Sequence, residues 1–129
     1  MINRAQLVND IFSFAENGII EITKPFELIS YLIKETEYLP WFVAVERIRY
    51  ISDMLESSDY FSTLQEYLIR LVKPIYNRIG WVDKKEDSMK ERSLRFQILN
   101  YACEIGLDNC IQVSKKLFNT WMESKDHRV

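Results

Sequence analysis

The sequence is short of turn-forming residues, with three glycines and three prolines in 129. A sheet protein of this size needs more of both, so the scarcity favours long helices joined by short connections. No apolar run approaches the length that spans a bilayer. The N-terminus lacks the hydrophobic stretch of a signal peptide. Lys, Arg, Asp and Glu are well mixed and sum to a net charge of −2, with no basic block. Nothing here neutralises a run of phosphates, which argues against nucleic acid as a partner. The one histidine is His127, in the C-terminal tail, and the two cysteines are Cys103 and Cys110. Zinc needs four ligands, or three plus water, and nothing near the cysteines supplies the rest. There is no H-E-x-x-H, no G-x-G-x-x-G and no P-loop. The chain therefore builds no zinc-protease centre by itself, and nucleotide binding has no support.

What is present is apolar and helical in period. Residues of the hydrophobic class make up 47% and aromatics 13%, enough for one domain with a core. Segment one runs from about Arg4 to Asn17, with Asn3 as N-cap, Gly18 as C-cap, and Leu7, Ile11, Phe14 and Ala15 as its stripe. Segment two starts at Thr23, tolerates Pro25 in its first turn, and shows Phe26, Ile29, Leu32 and Ile33. Segment three opens at Pro40 and carries Trp41, Val45, Ile48, Ile51, Met54 and Leu55. Segment four opens near Asp59 or Tyr60, carries Leu64, Leu68, Leu71, Val72 and Ile75, and stops at Gly80. Pro74 lies inside it and predicts a kink or an early end. The charge-rich stretch Trp81 to Asp87 reads as a solvated linker. Segment five begins with the capping-box pattern Ser88 to Glu91, is lined by Leu94, Ile98, Leu99 and Ala102, and stops at Gly106. Segment six has Asp108 as N-cap, then Ile111, Val113, Leu117, Phe118 and Trp121, and the tail after Met122 is expected to fray.

The expected fold class is therefore all-α. About six helices pair as antiparallel hairpins over residues 1–129, a single domain. They recur at roughly the 40–47-residue period of HEAT-type repeats. An α-solenoid and a compact orthogonal bundle both fit that pattern.

Candidate sites are few. Cys103 and Cys110 flank Gly106, with one sulfur on the last turn of a helix and the other on the first turn of the next. A bridge across that corner and two buried thiols that never meet are both compatible with the spacing. A bridge would close a loop worth about 2–3 kcal/mol and point to an oxidising compartment. Glu35 and Glu37 beside Tyr38 read as a solvated corner rather than a catalytic pair. Arg47, Arg49, Arg92 and Arg95 could hold a peptide carboxylate or pair with acids on the helix surface. Trp41, Trp81 and Trp121 each lie near a helix end and read as hydrophobic closure of corners.

Five phrases stand in register along the whole chain: Ile2 to Asp10, Glu35 to Trp41, Pro74 to Trp81, Leu94 to Cys103 and Leu117 to Trp121. In this order and spacing they resemble the C-terminal helical domain of the aminopeptidase N family of zinc aminopeptidases. The resemblance implies a HEAT- or armadillo-like α-superhelix that caps a catalytic domain, encloses a peptide chamber and in some members makes a dimer contact. It implies a disulfide between Cys103 and Cys110, and an extracellular or secretory-lumen location as part of a membrane-anchored or secreted parent. It also implies a parent that removes N-terminal residues from peptides with one zinc ion. The family's H-E-x-x-H, downstream Glu and G-x-M-E-N segment have no counterpart in this chain, so zinc is expected in a catalytic domain outside it. No catalytic or metal residue is carried over. The resemblance spans the earlier part of the family's C-terminal domain, so the expected partners are the parent's catalytic domain, its remaining C-terminal helices, a peptide substrate and a second copy. Part of Ile111, Leu117, Phe118 and Trp121 is expected to stay exposed and favour self-association. The alternative is a stand-alone helical-repeat adaptor that binds protein or peptide partners without peptidase activity.

Overall fold

The computed structural model describes residues 2–124. They form six α-helices and no strand: α1 (Ile2–Glu16), α2 (Thr23–Ile29), α3 (Tyr38–Leu55), α4 (Phe61–Ile79), α5 (Met89–Glu104) and α6 (Asp108–Glu123), with a 3-10 turn over Ser30–Lys34. The all-α expectation holds. His127 and most of the tail expected to fray lie outside the described residues.

The helices arrange as alternating neighbours. α1 packs along α3, and α3 meets α5. The 3-10 turn leans on α4, which packs against α5, while α2 folds back on α1. The core runs through the middle of this arrangement. Trp41, Val45 and Ile48 of α3, Val8 and Phe12 of α1, Val72 of α4 and Ile98 of α5 are all fully or almost fully buried.

Local chemistry explains most of the boundaries. Ser88 caps α5 by accepting from the Glu91 amide at 3.2 Å, while the Ser88 amide donates to the Glu91 carboxylate at 2.7 Å. Pro74 neither ends nor shortens α4, which continues to Ile79. Pro74 is exposed, and so is Arg70, the residue whose carbonyl loses its donor, so the break lies on the outer side of the helix. Pro40 is the third residue of α3 instead of the first, and the helix begins at Tyr38. That position is still in the first turn, where an amide has no helical partner to lose.

The phase of α1 departs from the expected stripe. Ala5, Val8 and Phe12 are the buried residues, whereas Leu7 is 61% exposed and Phe14 47%. α1 carries large apolar residues on two faces, and counting size alone selects the outer one. Ile33, Met54, Leu117 and Phe118 also point outward, each at least half exposed.

Candidate functional site

The four candidate arginines have different fates. Arg47 donates to Asn9 at 3.0 Å, Ser13 at 2.6 Å and Glu16 at 3.1 Å, so it ties α3 to the outer side of α1. Arg49 grips Glu104 through Nε, with contacts of 2.9 and 3.1 Å, and Glu46 at 2.9 Å, and its guanidinium lies 5.6 Å from the centre of the Tyr101 ring. Arg95 is buried. Its Nε donates to the Ile79 carbonyl at 3.1 Å, and one Nη donates to Asp83 at 2.8 Å and Asp87 at 2.7 Å. Arg92 alone of the four has no ion pair among the described residues. It borders an open groove of about 620 Å³ between α3 and α5, beside Phe42, Met89 and Phe96.

Arg95 changes the reading of the linker. The stretch Trp81 to Asp87 is not simply solvated, because its two aspartates converge on this buried cation. Burial opposes the guanidinium charge, but the two carboxylates outweigh that and raise its pKa. The Asp87 carboxylate is held below its ordinary range, first by the Lys84 amide and then by Arg95. Above this clamp lies a cleft of about 600 Å³ formed by Thr36–Tyr38, the end of α4 and the start of α5. Arg78, Lys84 and Lys90 line it together with Glu37 and Glu91. Both signs of charge are present, with no nucleophile paired to a base, so the cleft suits polar contact more than bond chemistry.

Glu35 is the residue whose setting sequence reasoning missed. It is 6% exposed, not a solvated corner. It accepts from Arg4 Nε at 2.8 Å, the Tyr31 hydroxyl at 3.0 Å and the Thr36 amide at 3.0 Å. Burial alone would raise its pKa, but these hydrogen bonds overcome burial and hold the carboxyl below the ordinary value. The Glu35 carbonyl takes the indole N–H of Trp41 at 3.1 Å. One residue thus joins α1, the 3-10 turn and α3. The Tyr31–Glu35 spacing of four was visible in the sequence, but Arg4 stands 31 residues away.

At the opposite end, Cys103 and Cys110 are joined as a disulfide, with Cα atoms 5.2 Å apart. Next to it, the Trp81 indole donates to the Tyr76 hydroxyl at 2.9 Å, which donates to the Asn109 side chain at 2.7 Å. Gly106 turns this corner at φ +87°, and a Cβ there would stand 2.9 Å from the amide nitrogen of Gln65. That nitrogen donates to the Ile105 carbonyl at 2.7 Å, so α4 closes directly on the corner. Of the three tryptophans, Trp41 is core, Trp81 is partly buried in the linker, and Trp121 stacks on Phe118 with ring centres 6.0 Å apart.

These residues do not fit a zinc centre. Both sulfurs are bonded to each other, His127 lies outside the described residues, and no group of three His, Cys, Asp or Glu among the described residues is placed to hold a metal ion. The molecule is thus defined as a layered all-α domain with charged clefts, a buried carboxylate knot and a sulfur-stapled corner.

The chain belongs to the ERAP1-like C-terminal domain family, whose pattern matches residues 1–129. It is similar to aminopeptidase N of Plutella xylostella, at 32% identity over 124 residues, covering 96% of this chain and 13% of that protein. It is similar to aminopeptidase N of Rattus norvegicus at 31% identity, covering 98% of this chain and 14% of that protein. The thyrotropin-releasing hormone-degrading ectoenzyme of Rattus norvegicus is 29% identical, with 98% of this chain and 12% of that protein covered. The chain therefore spans about an eighth of the length of these relatives. Among the described residues no helix is long and apolar enough to cross a membrane.

Proposed function

We propose that this chain is a non-catalytic helical region of a zinc-dependent aminopeptidase that trims N-terminal residues from peptides outside the cell or in the secretory lumen. Its work is architectural. It lines part of the peptide chamber as a HEAT-like superhelix, supports folding of the catalytic domain and offers a surface for dimerisation. Zinc and the catalytic residues belong to a domain outside this chain. The observation that carries the reading is the match of the whole chain to a C-terminal domain family whose relatives include aminopeptidases seven to eight times longer. Arg92 is the arginine best suited to meet a peptide carboxylate, because Arg47, Arg49 and Arg95 already hold acids of their own. Two-signed charge around the neighbouring cleft suits a wall that admits many peptides more than one that selects a single sequence.

The test is direct. Purified chain, given zinc and an aminoacyl chromogenic substrate, shows no turnover. Turnover that a chelator abolishes would place the catalytic centre in this chain and overturn the reading.

A further inference from the structure

The sequence holds one Asn–Gly step, Asn17–Gly18, and the fold leaves it at the surface where α1 ends. Both residues are exposed. Gly18 turns the chain out of the helix at φ +75°, and a Cβ added there would meet nothing within 4 Å. The Asn17 side chain closes the helix. Its Nδ2 donates to the Ser13 carbonyl at 2.9 Å, and the same oxygen takes the Asn17 backbone amide at 3.0 Å. The Gly18 amide donates to the Ala15 carbonyl at 3.1 Å.

An asparagine followed by glycine is open to a reaction that other pairs resist. A side chain on the following residue crowds the ring that must form, and glycine has none. The Gly18 backbone nitrogen gives its proton to hydroxide and attacks Asn17 Cγ. The bond that forms is Gly18 N–Cγ, the bond that breaks is Cγ–Nδ2, and Nδ2 leaves as ammonia after taking a proton from water. Water then opens the cyclic imide at either carbonyl. The balance is asparagine and water in, and aspartate or its β-linked isomer plus ammonium out. No oxidant, metal or enzyme is required. The side-chain bond to Ser13 and the Gly18 bond to Ala15 act as a brake, because both must open before the ring closes. They stand at a helix end, where local opening is easiest.

We infer that Asn17 is a site of spontaneous deamidation and that the product unfastens the last turn of α1. A carboxylate has no N–H to donate, so the side-chain bond to Ser13 is lost. Its charge falls at the negative end of the helix dipole, and the last turn of α1 carries no basic residue to offset it. The modification stands independently of the proposed peptidase role.

The test ages the 129-residue chain at mildly alkaline pH in water enriched in heavy oxygen, and then maps its peptides by mass. The label is expected at residue 17 well before it reaches Asn3, Asn9, Asn77, Asn100, Asn109 or Asn119. Aspartyl and isoaspartyl peptides are both expected, since both arise from one imide. Denaturant is expected to speed the reaction by opening the bonds to Ser13 and Ala15. Asn17→Gln keeps the amide but enlarges the ring that must form, so position 17 should stay unlabelled over the same period. The structural half is read in Asn17→Asp. There, protection of the amides of residues 17, 18 and 19 against exchange is expected to fall about two- to tenfold, with α3 and α5 unchanged. Labelling at residue 17 no faster than at the other asparagines, or aspartate as the sole product, would overturn the site. An equal rate in denaturant would overturn the brake, and unchanged protection in Asn17→Asp the unfastening.

Discussion

The two ends of this molecule are held by different means. At the first, α1 is locked by packing and by a polar knot. Val8 and Phe12 are fully buried, and Arg4 reaches Glu35 beside the fully buried Trp41. At the second, α6 contributes one buried residue, Cys110, and its place is set by the sulfur link to Cys103. Leu117 is 52% exposed and Phe118 58%. α6 is nevertheless the more clearly amphipathic of the two to the eye. An apolar stripe therefore announces that a helix has something to bury, without saying that this chain buries it. Where side-chain packing is thin, a covalent link does part of its work.

The largest effect that sharpens this contrast comes from the disulfide. Cys103 and Cys110 are seven residues apart, and opening so small a loop removes about 2.5 kcal/mol on the chain-entropy account. The Cys103→Ser/Cys110→Ser chain should unfold at correspondingly lower denaturant. The more telling readout is local. Amide exchange in α6 should accelerate far more than in α1 or α3, since the bridged Cys110 is the one buried residue of α6 among the described residues. Uniform acceleration across all helices would mean that the two ends are not independent. Intact mass before and after reduction and alkylation checks the bridge itself.

A smaller effect is expected at the packed end, and it is governed by pH. The folded pKa of Glu35 is lowered from its ordinary 4.5. The unfolded chain then binds the proton more readily, so stability is fully present above that ordinary value and falls as pH drops through the folded one. Glu35→Gln should lower stability near neutrality and flatten the acid side of the profile. Asp87 is shifted in the same direction, so some slope remains in E35Q. It should shrink further when Asp87→Asn is added. An unchanged profile in both variants would show that these carboxylates do not report on folding.

Which of these features was legible in the sequence depended on how far apart the partners lie. The Ser88–Glu91 box spans three residues, and it forms as its pattern predicts. The stops at Gly18, Gly80 and Gly106 were also local, and all three glycines have positive φ. Spacing alone leaves the corner sulfurs undecided, since seven residues permit a bond without requiring one. Glu35 could not be read, because its burial depends on Arg4 arriving from α1. Arg95 looked like a surface cation, because its role depends on Asp83 and Asp87 folding back from a linker that reads as solvated. The phase of α1 failed for a related reason. Two stripes compete there, and the winner is decided by where α3 lies.

The smallest effect on stability, and the sharpest test of the contrast, concerns the outer face of α6. Leu117→Ser with Phe118→Ser removes apolar surface that is about half in water, together with the ring contact between Phe118 and Trp121. Each substitution should lower the unfolding free energy by about 1 kcal/mol or less, whereas the same change at Val8 and Phe12 would empty part of the core. Exposed apolar residues at this spacing still favour association. Sedimentation over a concentration series should show the parent sequence self-associating and the double serine variant remaining monomeric. If both are monomeric throughout, the outer face of α6 does not drive association. If both associate alike, the contact lies elsewhere, with the exposed Leu7 and Phe14 on α1 the next place to substitute. Either result would show that the two ends differ in how they are held without differing in what they bind.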